Sequence, residues 1–189
     1  MNLNVISKTF NLSKNDIVNV FILGSRLWGS VTANNDYDIT VIIKGNNHKK
    51  CLHAHNLNAK VMTYDEYENS IEEHKFLDLV TLFLPSQNIL IQKRRAPATV
   101  NNKILSEVII SDSKQDWNRV LKLLQRGELA HAKKILTHTI RMCILGLQLI
   151  NTGTITDFKC AEDIRMNLAD VEYIDDTWPQ KYYSACGMS

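Results

Sequence analysis

The sequence predicts an α/β (α+β) chain: a short sheet with flanking helices over residues 1–97, then a helical lobe with a tail over 98–189. Three observations lead there. Short β-branched or aromatic runs recur in the first half at VNVFIL (18–23), YDITVII (37–43) and LNAKVMT (57–63). Apolar residues at helical spacing fill two long segments of the second half, around Trp117 to Leu124 and from Leu129 to Leu149. Between the two patterns lie the basic triplet Lys93, Arg94, Arg95 and then Pro97, a boundary by composition. A chain of 189 residues has room for one core and an appendage.

Taken in order, the run 18–23 stops at Gly24-Ser25, the end expected of a short buried strand. Residues 25–29 suit a short helix or turn and 32–35 a loop. The run 37–43 closes at Gly45. Residues 57–63 alternate apolar and polar, the period of a half-buried strand. Thr63 followed by Asp65 and Glu66 reads as a helix N-cap with acids in the first turn, the helix reaching about Lys75. The apolar block 77–84 ends at Pro85, and 88–92 suits one more strand.

Composition removes several classes of function. Hydrophobic content of 44% with 22% charged residues belongs to a globular protein, which sets aside disordered and low-complexity chains. No apolar run approaches the ~18–20 residues of a membrane span, and the opening residues lack a charged-then-apolar leader, so a cytoplasmic protein without membrane contact is expected. A formal net charge of +2 excludes a uniformly basic nucleic-acid coat. Charge is nonetheless uneven: residues 114–141 hold seven basic residues against two acids, and 157–176 hold seven acids against two basic residues. Cys51, Cys143, Cys160 and Cys186 form no C-x-x-C pair, so they read as free thiols rather than zinc or redox ligands.

The chemistry lies in Gly24-Ser25, ten intervening residues, and then Asp36-Tyr37-Asp38 opening a strand. Carboxylates at i and i+2 of a strand share a face, close enough to hold divalent cations together. Magnesium prefers hard oxygen ligands, and a two-metal site activates a hydroxyl while neutralising a leaving pyrophosphate. A glycine admits close backbone approach, and a serine with the following amides suits triphosphate oxygens. This is a phosphoryl-transfer constellation. A plain turn feeding solvated acids is the bland alternative.

The segments LGSRLWG (23–29) and NDYDI (35–39) resemble the signature of the polymerase-β-like nucleotidyltransferase superfamily, in particular its small "GSRLYG…SDYD" members. The resemblance continues through Thr63 to Tyr67, 82–85, Trp117, His138, Arg141 and Gly146 to Gln148, spanning roughly 18–158. It implies a nucleotidyltransferase core with a short mixed sheet and a C-terminal helical lobe. It further implies Mg2+ (or Mn2+) as cofactor and transfer of a nucleotidyl group from an NTP to a hydroxyl of RNA, a protein or a small molecule. By that resemblance Asp36 and Asp38 are catalytic and metal-binding, while Gly24, Ser25, Arg26, His138 and Arg141 bind nucleotide; Lys134 joins them only by its helical spacing from His138 and Arg141, on a face that can grip phosphate. Lys134, His138 and Arg141 do fall along one helix face by spacing, which equally describes a solvated basic stripe.

The superfamily also implies a third carboxylate from a neighbouring strand, and here Asn58 stands at that place. An amide takes no proton and carries no charge. A non-catalytic module that binds nucleotide, RNA or a protein partner is therefore the rival expectation. Of the remaining motifs, Arg126 to His131 has the R-x4-H spacing of HEPN ribonucleases, interrupted by Gly127. His48, His53, His55 and His74 read as surface residues, Trp28 as a packed aromatic, and the aromatic tail at 178–183 as a docking segment.

Overall fold

A computed structural model describes residues 1–31, 36–45, 50–54, 56–97 and 99–174. The expected loop at 32–35, His48, His55, Cys186 and the aromatic tail lie outside the described residues. The chain divides into two compact units, Met1–Thr99 and Val100–Ser189.

The first unit is a five-stranded mixed sheet with helices. It begins with helix α1 (Leu3–Phe10), capped by the Asn2 side chain accepting from the Val5 amide at 3.1 Å. Strand β1 (Ile17–Ile22), the one-turn helix α2 (Ser25–Trp28), β2 (Tyr37–Ile43), β3 (Lys50–Ala54) and β4 (Leu57–Thr63) follow. Helix α3 (Tyr64–Glu72), α4 (Phe76–Leu79), two 3-10 turns and β5 (Ile89–Gln92) complete it. The strand order is β3-β4-β2-β1-β5, with β2 and β4 parallel and the other neighbours antiparallel. The α/β class with a short mixed sheet flanked by helices thus stands. Strand β3 and helix α1 are additions to the elements the sequence predicts.

Alternation along the strands separates two faces. Ile39, Val41 and Ile43 of β2, Leu57, Ala59 and Val61 of β4, and Val20 of β1 form a buried cluster with Ile6 of α1. The opposite face takes Phe21 of β1 and Thr40 and Ile42 of β2, and it packs beneath α3 and α4. There the ring of Tyr67 lies 6.0 Å from that of Phe21, and its hydroxyl meets Thr81 Oγ1 at 2.5 Å. Burial pushes this phenol up to about 12. Asp78, 2% exposed, is the one acid in that buried set among the described residues, and Lys60 of β4 donates to its Oδ1. A buried carboxylate requires such a partner.

Local sequence explains the joints. Thr63 and Glu66 form a capping box, the Glu66 carboxylate accepting from the Thr63 amide at 2.8 Å and the Thr63 hydroxyl from the Glu66 amide at 3.2 Å. Glu66 is thereby engaged as a cap. Fully buried Asn19 accepts from the amides of Lys93 and Arg94 at 3.0 and 3.2 Å and donates to the Arg94 carbonyl at 2.7 Å. The boundary triplet is pinned by its backbone while Arg94 stacks over Tyr64, 3.7 Å from the ring centre.

The second unit contains α5 (Asn102–Gln125), α6 (Leu129–Thr152) and α7 (Glu162–Ala169), with α6 packed against both others. Helix α5 starts well before Trp117, under an Asn101 cap that accepts from the Lys103 and Ile104 amides. Gly127, at φ +74°, turns the chain between the two long helices. Arg126 and His131 therefore fall on either side of a turn, which undoes the HEPN-like spacing as a one-helix motif. Cys51 is exposed, Cys143 buried and Cys160 half-buried, all free thiols. No helix among the described residues is long and apolar enough to cross a membrane.

Candidate functional site

The site is built where β1 ends. The Leu23 amide donates to the Asp38 carbonyl at 2.8 Å, holding the end of β1 against the start of β2. The next residue, Gly24, has φ 63° and ψ −150°, a conformation open essentially to glycine alone. A Cβ placed there would lie 2.0 Å from Asp38 Oδ2 and 2.8 Å from Asp38 Cβ and Cγ. Bare backbone is thus pressed against a carboxylate, and the side chain at this position must be absent. Gly24 then caps α2, its carbonyl accepting from the Leu27 and Trp28 amides at 3.0 and 3.1 Å. Trp28 is buried, in keeping with a packing role.

Asp38 leaves β2 on the face that carries Thr40 and Ile42, and Asp36 stands just ahead of the strand, exposed. The parallel register sets Asn58 of β4 directly beside Asp38. Its Nδ2 donates to Asp38 Oδ1 at 3.1 Å and to Asp36 Oδ2 at 3.3 Å, so one amide spans both carboxylates. On the other side, antiparallel β3 sets His53 opposite Asn58, with His53 Nδ1 2.8 Å from Asn58 Oδ1. Because Asn58 spends both N–H bonds on carboxylates, its oxygen faces the imidazole and His53 Nδ1 is the donor. His53 is exposed, as the sequence suggests, but the sequence does not foresee its pairing with Asn58. The signal that finds it is cross-strand register, which no local pattern contains.

Among the described residues no group of three or more His, Cys, Asp or Glu side chains gathers to hold a metal. What is gathered is two carboxylates and a neutral amide. That donor set fits magnesium or manganese, which take few protein carboxylates and complete their shell with water and phosphate oxygens. Gly24 is compatible with it, since the absence of a side chain lets the Asp38 carboxylate lie directly against the backbone.

The remaining expected residues are dispersed. Ser25 opens α2 immediately after Gly24. Arg26 lies with its guanidinium 3.5 Å from the centre of the Tyr37 ring. Tyr37 packs on the α1 side of the sheet, opposite the side from which Asp38 projects. In the helical unit Lys134, His138 and Arg141 share a face of α6 at three depths: Lys134 exposed, His138 half-buried, Arg141 only 5% exposed. Burial lowers the His138 pKa, with the Asp116 carboxylate opposing and the Arg141 and Lys134 charges assisting. Burial also lowers that of Arg141. Asp116 accepts from the Thr139 hydroxyl at 2.9 Å, tying α5 to α6 beside this stripe. Gln148 is engaged by its own chain: its Oε1 accepts from the Thr156 and Asp157 amides at 3.0 and 2.9 Å.

No known protein-family model matches the chain, and no curated protein matches its sequence at a significant level. Solved structures do resemble it. A nucleotidyltransferase-like protein from Exiguobacterium sibiricum aligns at TM-score 0.33 and 11% identity, covering 98% of this chain and 71% of that one. The spectinomycin adenyltransferase of Enterococcus faecialis, solved with ATP and spectinomycin, aligns at TM-score 0.47 and 11% identity, covering 98% and 95%. Likeness at this level carries no argument about chemistry.

Two outcomes follow from this geometry. Gly24→Ala forces a forbidden backbone and a collision with Asp38, so urea unfolding should show a loss of roughly 1–3 kcal/mol. In the helical unit, the unfolded chain protonates His138 more readily than the folded one. Stability should be full above about pH 6.5 and fall as pH drops below it. His138→Gln should flatten that part of the profile, read by thermal melts between about pH 5 and 8.

Proposed function

We propose that the chain is a metal-dependent nucleotidyltransferase that moves an NMP from an NTP to a hydroxyl acceptor with release of pyrophosphate. The observation that carries this reading is Gly24 backbone held against Asp38 while Asp36 and Asp38 converge on one side-chain amide. A structural turn has no need to bring a side-chain-free backbone onto a carboxylate. A triphosphate site does, because phosphate oxygens must lie close to backbone and cation at once.

In this reading Asp36 and Asp38 hold Mg2+ or Mn2+, and Gly24 with the Ser25 hydroxyl adjoins the triphosphate. The metal, when bound, neutralises phosphate charge and makes the acceptor hydroxyl a better nucleophile. The acceptor oxygen bonds the α-phosphorus as the bond to the bridging oxygen breaks and pyrophosphate departs. The hydroxyl proton passes to a carboxylate oxygen or to water. RNA ends, protein side chains and small molecules all offer the required hydroxyl. Arg26, stacked on Tyr37, contributes positive charge from the far side of β2. Lys134 and His138 offer phosphate a cation and an imidazole on the helical unit, with Arg141 beneath them.

Asn58 favours a second reading, a module that binds nucleotide without turning it over. With an amide spanning the two carboxylates, no third acid joins them among the described residues to accept a proton. Both readings place the nucleotide on Asp36 and Asp38.

Replacing both aspartates by alanine should abolish magnesium-dependent NTP binding in calorimetry. Undiminished binding would reject the site. Asn58→Asp should raise pyrophosphate release if the chain is an enzyme limited by its amide. Tight magnesium-dependent NTP binding with no release from either form would select the binding module. Because Arg141 is buried, Lys134→Ala is the cleaner probe of the helical stripe, and a phosphate contact there predicts about tenfold weaker binding.

A further inference from the structure

Resting on that reading of the carboxylates as a metal site, we propose that Asn58 is a reversible third ligand. In the proposal its side-chain amide turns over on metal binding, and His53 is the positioning residue that stabilises both orientations.

The metal-free arrangement is a charge-compensated one. Two carboxylates that repel each other are bridged by the positive end of one amide dipole, through Nδ2 at 3.1 and 3.3 Å. A cation entering between the carboxylates meets that same positive end, which now opposes it. The amide oxygen is a hard neutral ligand of the type magnesium and manganese accept. Half a turn about the terminal torsion exchanges oxygen for nitrogen with almost no change of shape, and that torsion is broad and two-fold. The backbone and the β4 register stay as they are.

The turn is easiest where the group behind the amide can change its role, and the exposed imidazole of His53 can. With Nδ2 on the carboxylates, His53 Nδ1 donates to Asn58 Oδ1 at 2.8 Å. With Oδ1 turned to the cation, Nδ2 faces the imidazole, and Nδ1 must accept. A neutral imidazole meets both demands by carrying its proton on Nδ1 in the first state and on Nε2 in the second. No net proton is gained or lost. A lysine, a serine rotor tied elsewhere or a backbone group behind Asn58 would favour one orientation; an imidazole serves two. The pairing is set by register, since β3 and β4 place His53 and Asn58 opposite each other.

The alternative, a fixed amide that merely damps carboxylate repulsion, predicts the opposite sign of effect. A fixed amide competes with the cation, so its removal tightens metal binding. An amide that turns to become a ligand helps the cation, so its removal weakens binding.

The test uses the full chain and Mn2+ alone, with free Mn2+ counted by electron paramagnetic resonance. Asn58→Ala should weaken Mn2+ binding by about tenfold or more, and His53→Ala should do so by a similar factor. In the Asn58→Ala background, His53→Ala should add nothing further. A direct signature accompanies this: at a pH well above the ordinary imidazole range, adding Mg2+ should move the 15N resonances of His53 from the Nδ1–H to the Nε2–H tautomer. Unchanged or tighter Mn2+ binding in Asn58→Ala, or a His53 that stays Nδ1–H with Mg2+ saturating, would overturn the turning amide. In either case dependence of Mn2+ binding on Asp36 and Asp38 would leave the metal-site reading intact. Binding that is absent in the wild-type chain, or indifferent to both aspartates, would overturn that reading and this one with it.

Discussion

The candidate site depends on one close approach, that of the Gly24 backbone to the Asp38 carboxylate. Everything upstream serves to bring the end of β1 beside the start of β2: the antiparallel pairing of the two strands, the Leu23 amide on the Asp38 carbonyl, and the apolar face that seats both strands on α1. A side chain at position 24 would occupy the space of Asp38 Oδ2 itself. The fold therefore accepts a strained, glycine-only conformation there in exchange for an acid whose oxygens are reached by bare backbone. The same glycine also turns the chain from β1 into α2, and in the proposed reading its closeness to Asp38 serves a ligand as well.

A second constraint follows from the first. Once Asp36 and Asp38 are brought to one place, their mutual repulsion has to be met whenever no cation is present. The parallel pairing of β2 with β4 brings Asn58 to the place where it can meet it. An amide there has costs and uses that a third carboxylate would not. It adds no negative charge and so weakens electrostatic attraction for a cation, yet it also leaves the free site less frustrated. In the proposed reading, turnover hinges on an amide standing where a carboxylate would accept a proton, and His53 beside it makes the amide part of a hydrogen-bonded set.

Much of this was legible in the sequence, and the limits of legibility have physical causes. Strands β1, β2, β4 and β5 announce themselves because each is a β-branched or alternating run between turn residues, and LNAKVMT shows its half-buried alternation directly. The capping box at Thr63 and Glu66 is equally local. Strand β3 escaped because KCLHA is a short edge strand with neither apolar alternation nor strong propensity; it exists because β4 offers it a ladder. Helix α1 carries Leu3, Ile6 and Phe10 at helical spacing, but in two turns interrupted by Asn4, Ser7 and Lys8 that pattern is too short to stand out from a polar segment. At the site, spacing together with the LGSRLWG and NDYDI segments puts Gly24, Asp36 and Asp38 forward as candidates, and the fold brings them together. His53 could not, since its relation to Asn58 belongs to the pairing of two strands. The depth of Arg141 was hidden for a similar reason: helical spacing gives the face of a residue but not how far that face is covered.

The central claim is that Asp36 and Asp38, beside Gly24, are where this chain holds a metal and a nucleotide. A crystal structure of the full chain grown with Mn2+ and a non-hydrolysable NTP analogue, with anomalous data locating the manganese, addresses it directly. The account predicts anomalous density against the carboxylates of both aspartates, with the triphosphate reaching the backbone at Gly24 and Ser25. Manganese bound elsewhere, or an analogue seated away from Gly24 with both aspartates still bridged by Asn58 alone, would contradict it.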